Sequence, residues 1–202
     1  MNLFDNLVND YEEWFEKHPK IYKEEIKTIK TLLPKGKGME VGVGTGRFAA
    51  PLNIKFGIEP SKAMAEVARA RGIDVIELSA EEMDFKEEFD FILMVTTICF
   101  VNDPLKTIQN CYKALKNGGC LLVAFVDLDS NLGRIYEKNK HKSKFYKYAK
   151  FFTKNDIINL MKKVGFKDLE CRENLYGNSL DDLKFEIKKC NGGAFKVIRG
   201  RK

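Results

Sequence analysis

The sequence predicts an α/β fold: a mostly parallel sheet of seven strands with helices on both faces and a helical cover at the N-terminus. Three observations carry that reading. After Gly38, short apolar runs alternate with helical segments, and a strand-helix-strand repeat closes through right-handed crossovers into a parallel sheet covered on both sides. A glycine-rich turn at residues 42–46 lies between the first run and the segment that follows it. The chain has 202 residues, 44% hydrophobic and 32% charged, and one of this size withdraws roughly 70% of its extended surface from water, enough for a core. No repeat, low-complexity tract or linker divides it, so residues 1–202 are expected to form one domain.

The elements follow in order. Phe4, Leu7, Val8, Tyr11, Trp14 and Phe15 recur at intervals of three and four, which makes residues 4–18 one helical face. Pro19 opens a second helix whose Ile21, Tyr22, Ile26, Ile29 and Leu33 face the core, and Pro34 and Gly36 close it. Residues 1–36 are thus the cover. Strands are expected at 39–43, 55–58, 75–78, 89–95 and 120–126, with helices near Phe48, over 61–71 and over 104–115. Gly118 and Gly119 supply the turn into the fifth strand. Residues 37–126 form the expected core. The Lys-rich stretch 131–150 breaks the alternation; a helix there would turn Ile135, Phe145 and Tyr148 inward. Thr153 and Asp156 form a capping pair for a helix carrying Ile157, Leu160, Met161 and Val164 and ended by Gly165. Strands at 167–171 and 194–199 complete the C-terminal part, 153–202.

Composition excludes several classes of function. No run approaches the ~18 apolar residues of a membrane span, and residues 1–10 lack the basic start and apolar run of a signal peptide, so a soluble cytoplasmic protein is expected. Cys99, Cys111, Cys120, Cys171 and Cys190 contain no CxxC pair and read as core fillers in a reducing compartment. With His18 and His141 the only histidines, metal-free chemistry is expected. The net charge of +6 is uneven: residues 1–130 carry 16 Lys/Arg against 21 Asp/Glu, and residues 131–202 carry 19 against 8. A basic C-terminal third can attract nucleic acid or anionic substrates, although a solvated lysine face is the commoner origin of such a run.

The sharpest motif runs from Met39 through Glu40, Gly42, Gly44 and Gly46 to Arg47. Glycines there let the backbone turn tightly and approach a ligand, and a helix N-terminus beyond offers free N–H groups. Glu59, at the tip of the second strand and followed by Pro60 and Ser61, stands where an acid accepts hydrogen bonds from ribose hydroxyls. A dinucleotide fingerprint would need its third glycine at position 47, which is Arg, and no Gly-Lys-Ser/Thr follows the loop. Glu40, inside the first strand, would repel a pyrophosphate and favour a ligand carrying an ammonium and a sulfonium.

These residues resemble the class I S-adenosylmethionine-dependent methyltransferases, in particular the small-molecule branch of ubiquinone/menaquinone-biosynthesis-like enzymes, over residues 11–126 and more faintly beyond. The resemblance implies a Rossmann-like sheet with a final antiparallel strand, and S-adenosylmethionine as the cofactor. It also implies that Glu40, Gly42, Gly44 and Gly46 hold the methionine end, Glu59 holds the ribose, and Ser79, Ala80 and Glu81 flank adenine. Ser79 replaces the family's frequent Asp, which leaves adenine to backbone groups of Ala80 and Glu81. Arg47 is either a partner for the cofactor carboxylate or an exposed arginine, and Val95 and Thr96 would line the cofactor. Tyr11 and Trp14 resemble aromatics that close over it, or are core.

Methyl transfer needs alignment and exclusion of water more than a dedicated base. Relatives often carry a His pair where this chain has Cys99 and Phe100, so no catalytic residue is assigned, and a base from elsewhere or a proximity mechanism is expected. His141 is either that base or a surface imidazole among lysines. The stretch 127–152 corresponds to an acceptor lid in relatives. The expected activity is methyl transfer to a small molecule; the rivals are an RNA or protein methyltransferase, an NAD(P)-dependent oxidoreductase and a non-catalytic cofactor-binding protein. Oligomeric state is not legible.

Overall fold

The computed structural model describes residues 3–202. In chain order the elements are α1 (Val8–Lys17), α2 (Pro19–Lys30), β1 (Gly38–Val41), β2 (Phe56–Ile58), α3 (Lys62–Ala70), β3 (Asp74–Ile76) and β4 (Phe89–Val95). They continue as α4 (Pro104–Ala114), β5 (Leu115–Val126), α5 (Asn131–Asn139), α6 (Lys154–Val164), β6 (Lys167–Asn174), β7 (Lys188–Lys189) and β8 (Phe195–Arg201).

Alternate residues of the central strands enter opposite layers. Phe91, Leu93 and Val95 of β4 pack into one layer with Phe15, Ile21 and Ile29 of α1 and α2. Ile92 and Met94 enter the other, with Ile108 and Cys111 of α4 and Ile157 and Met161 of α6. Because side chains alternate with period two, strands apolar at nearly every position require cover on both faces.

The sheet order is β3-β2-β1-β4-β5-β8-β6-β7. Pairs among the first five strands are parallel, and β8 pairs antiparallel with both β5 and β6. The expected Rossmann-like, mostly parallel architecture and the antiparallel final strand are present. Eight strands replace seven, because Lys188 and Lys189 pair with Glu173 and Arg172 at the edge; two residues carry no periodicity to read. The chain departs to either side of the sheet from β1 and β4, which opens a crevice at their C-terminal ends.

Several local expectations need correction. Residues 44–53 form successive turns instead of a helix near Phe48. Ala50 and Leu52 still donate to the carbonyls of Gly46 and Phe48, but Pro51 has no N–H, and the Tyr22 hydroxyl donates to the Arg47 carbonyl instead. The N-terminal helix divides into a 3-10 turn, Leu3–Asn6, and α1. β5 begins at Leu115, and Gly118 (φ +79°) sits within a register irregularity of that strand. In the Lys-rich stretch, Leu132 and Tyr136 face inward, whereas Ile135 (39% exposed) and Tyr148 (66%) do not. α6 keeps its predicted capping box and Gly165 close.

Cys171 and Cys190 are joined by a disulfide with Cα atoms 5.6 Å apart, which corrects their reading as separate thiols. The β6–β7 hairpin folds back over 19 residues to bring them together, a pairing that no local spacing announces. Cys99, Cys111 and Cys120 are buried thiols. Among the described residues no helix is long and apolar enough to cross a membrane.

Candidate active site

The glycine loop leaves β1 and passes over the crevice. Gly42 has φ +68°, and a Cβ there would lie 2.4 Å from Thr97 Cγ2, so both backbone sign and space demand glycine. The Ile58 carbonyl accepts from the Gly42 and Val43 amides at 2.9 and 3.0 Å, which ties the loop to the end of β2. Gly46 serves packing: its Cβ would meet Ile73 Cδ1 at 2.4 Å.

Glu59 holds the loop from the other side. Gly44 N–H donates to its Oε2 and Ser61 N–H to its Oε1, each at 2.9 Å. Burial pushes its pKa up against the pull of these two amides. Ser61 caps α3 and donates its hydroxyl to Asp5 Oδ1 at 2.7 Å.

Glu40 projects from β1 into the layer beneath the loop and is almost wholly buried. Burial raises its pKa well above the usual range, the Ala49 amide opposes this, and nearby Glu59 reinforces it. Its Oε2 has no hydrogen-bond partner among the described residues, an uncommon condition for a buried acceptor. Glu40 and Glu59 lie close together in an acidic basin, with Asp5 beside Glu59, and Glu40 Oε2 is an acceptor without a partner among the described residues, a set that suits a ligand bringing hydrogen-bond donors. The cleft over this basin measures about 430 Å³, within the range of small-ligand sites.

Of the sequence-predicted residues, Gly42, Gly44, Glu59, Pro60, Ser79, Ala80, Glu81, Val95 and Thr96 line the cleft. Glu40, Gly46, Arg47 and Ser61 do not. Arg47 is engaged away from the cleft: its guanidinium pairs with Glu12 of α1, which also pairs with Arg71. Burial works against the charge on Glu12, but hydrogen bonds from Arg71 and Arg47 outweigh it and hold its pKa at about 2. That cluster clamps α1 onto the loop. Ser79 donates to Glu82 at 2.6 Å, and the Ala80 and Glu81 carbonyls accept from Asn110 at 3.1 and 3.0 Å, which fixes the strand-end segment on α4.

A second, apolar chamber of about 90 Å³ adjoins the cleft, and both are lined by Phe4, Tyr11, Thr96 and Phe100. Thr96, a β-branched residue at φ +50°, turns the chain at this junction. Trp14 belongs to the chamber, whereas Tyr11 lines both. Cys99 is buried, donates to the Thr96 carbonyl at 3.1 Å, and has its pKa pushed up to about 12 by burial, so it offers no base. His141 is exposed. The residue that sequence reasoning passed over is Glu25 of α2, 7% exposed and on the chamber wall. Its spacing of four from both Ile21 and Ile29 was the available signal, since it puts an acid in the buried stripe.

Residues 39–123 match the family described as "Methyltransferase domain". A Thermotoga maritima S-adenosylmethionine-dependent methyltransferase, described as a possible histamine N-methyltransferase, is 50% identical; the superposition covers 99% of this chain and 98% of that one, with a TM-score of 0.95. An uncharacterized protein of Methanocaldococcus jannaschii is 43% identical over the full length of both chains. A methyltransferase structure from Archaeoglobus fulgidus shares the fold at 14% identity, covering 95% of this chain and 99% of that one, with a TM-score of 0.69.

Proposed function

The chain belongs to the class I S-adenosylmethionine-dependent methyltransferases, and from that premise we propose that it methylates a small molecule seated in the chamber beside the cofactor cleft. The observation that carries this reading is the chamber itself. It is walled by side chains, opens toward the cleft through shared residues, and its volume of about 90 Å³ suits a compact apolar group. The description of the Thermotoga relative as a possible histamine N-methyltransferase points in the same direction.

S-adenosylmethionine supplies a methyl group already activated on a sulfonium. The protein's residues then have to bind, orient and exclude water, and such positioning is worth about 7–11 kcal/mol of barrier. Glu40 Oε2 would accept from the methionine ammonium, and Glu59, with lone pairs beyond its two amide bonds, from the ribose hydroxyls. Ser79, Ala80 and Glu81 would border adenine, and Val95 and Thr96 the reacting end. Residues 127–152 contribute Leu132, Tyr136, Phe145 and Tyr146 to the chamber, which supports their role as an acceptor lid within one domain spanning 1–202.

The test is to incubate the protein with methyl-labelled S-adenosylmethionine and a cell extract, then separate metabolites, RNA and protein. Label in the metabolite fraction is expected. Label confined to RNA or protein overturns the reading.

A further inference from the structure

The acids of the two N-terminal helices differ in their company. Glu12 is paired with Arg47 and Arg71. Glu24 is paired with Lys27 and accepts from Asn174. Glu25, the most buried of the three, makes no hydrogen bond or ion pair with another described residue. The titratable groups that face it across the chamber are the phenols of Tyr11 on α1, Tyr136 on α5 and Tyr146 in the 3-10 turn Tyr146–Tyr148. Among the described residues no lysine or arginine lines the chamber.

The rest of the wall is aromatic. Tyr11, Trp14, Phe15, Phe48, Phe100 and Tyr146 surround the space, and Tyr11, Trp14 and Phe48 each meet Phe15 edge to face, with centroids 5.0 to 5.8 Å apart. A carboxyl kept unpaired in such a place costs folding free energy unless something compensates. In the empty chamber protonation offsets that cost, and in the occupied one a cation brought by the ligand can, because an ammonium pairs with a carboxylate and is also attracted to aromatic faces.

Resting on the chamber as the acceptor site, we propose that the acceptor is a small primary or secondary amine with an apolar or aromatic body, and that Glu25 anchors its nitrogen and takes its proton. In the empty chamber Glu25 holds a proton below about pH 8. The arriving ammonium pairs with the carboxylate and displaces that proton to solvent, and then passes one of its own N–H protons to the carboxylate. The freed lone pair attacks the donor methyl carbon, the C–N bond forms as the C–S bond breaks, and the C–S electron pair stays on sulfur as a neutral thioether. The product leaves as an N-methylammonium, and Glu25 returns its proton to solvent. Burial brings the Glu25 pKa to about 8, close to that of an amine in a dry site, so the proton can pass at little cost.

Trp14 is the single tryptophan and lines the chamber, so its fluorescence reads occupancy directly. The full chain, saturated with S-adenosylhomocysteine, is titrated with 2-phenylethylamine and with its neutral isostere 2-phenylethanol, in the native form and as Glu25→Gln. Expected is at least about a tenfold preference for the amine that disappears in Glu25→Gln, with methylation of the amine reduced about 10²- to 10⁴-fold. Unchanged S-adenosylhomocysteine affinity in the variant shows that it is folded. Equal affinity for the two probes in the native protein, or a preference that survives the substitution, overturns the amine assignment while the chamber stands. No response of Trp14 to either probe overturns both.

Discussion

Replacing Glu25 with Gln removes a titrating group without changing its size, and the consequence is largest in the pH dependence of stability. In the folded chain burial raises the Glu25 pKa from the ordinary 4.5 to about 8. Between those values the folded state holds a proton that the unfolded state has released, so stability falls as pH rises through that window. Three and a half tenfold steps in proton affinity, at about 1.4 kcal/mol each, set an upper bound of about 5 kcal/mol. Water entering the chamber reduces this, and about 2 kcal/mol or more is expected to remain. Urea unfolding of both proteins at intervals from pH 4 to pH 9 measures it. The advantage of Glu25→Gln over the native chain should be small near pH 4, grow between pH 5 and pH 8, and level off above. Curves that stay parallel over the whole range would refute the reasoning, since they would mean that Glu25 titrates as it does in the unfolded chain.

Glu59→Ala removes the proposed ribose acceptor and should weaken S-adenosylhomocysteine binding by about 1–3 kcal/mol in a calorimetric titration; full affinity in a folded variant would take Glu59 out of the site. Gly42→Ala places a Cβ 2.4 Å from Thr97 Cγ2 at φ +68°, so denaturation should show a loss of about 1–3 kcal/mol together with much weaker cofactor binding. A variant equal to the native protein in both would contradict the loop geometry. Replacing Cys171 and Cys190 together by Ser opens a loop of 19 residues and should cost about 3 kcal/mol of stability; an unchanged urea midpoint would show that the bridge contributes nothing.

The parts of this molecule legible in the sequence are those governed by local chemistry. Gly42, Gly44 and Gly46 announce a tight turn, of which Gly42 and Gly44 line the cleft and Gly46 makes room for Ile73, and Glu59 follows at a strand tip where the parallel topology leaves an acid beside that turn. Strand β4 is legible because both of its faces are buried. What escaped reading depends on contacts distant in sequence. Arg47 lies 35 residues from Glu12, and only the packing of α1 reveals that its charge is spent on a clamp. The Cys171–Cys190 bridge depends on an edge hairpin too short to show a pattern. The helix expected near Phe48 fails because Pro51 interrupts the ladder one turn in. The apolar chamber is assembled from α1, α2, the turn after β4 and α5, so Glu25 could be noticed only as an acid interrupting an apolar stripe.

The most direct test of the account is the structure of this protein with S-adenosylhomocysteine bound. The ribose hydroxyls should lie within about 3 Å of the Glu59 carboxylate, with the amino group of the homocysteine on the Glu40 side of the glycine loop. Ribose hydroxyls directed away from Glu59, or a ligand lodged outside the cleft above Gly42 and Gly44, would contradict it.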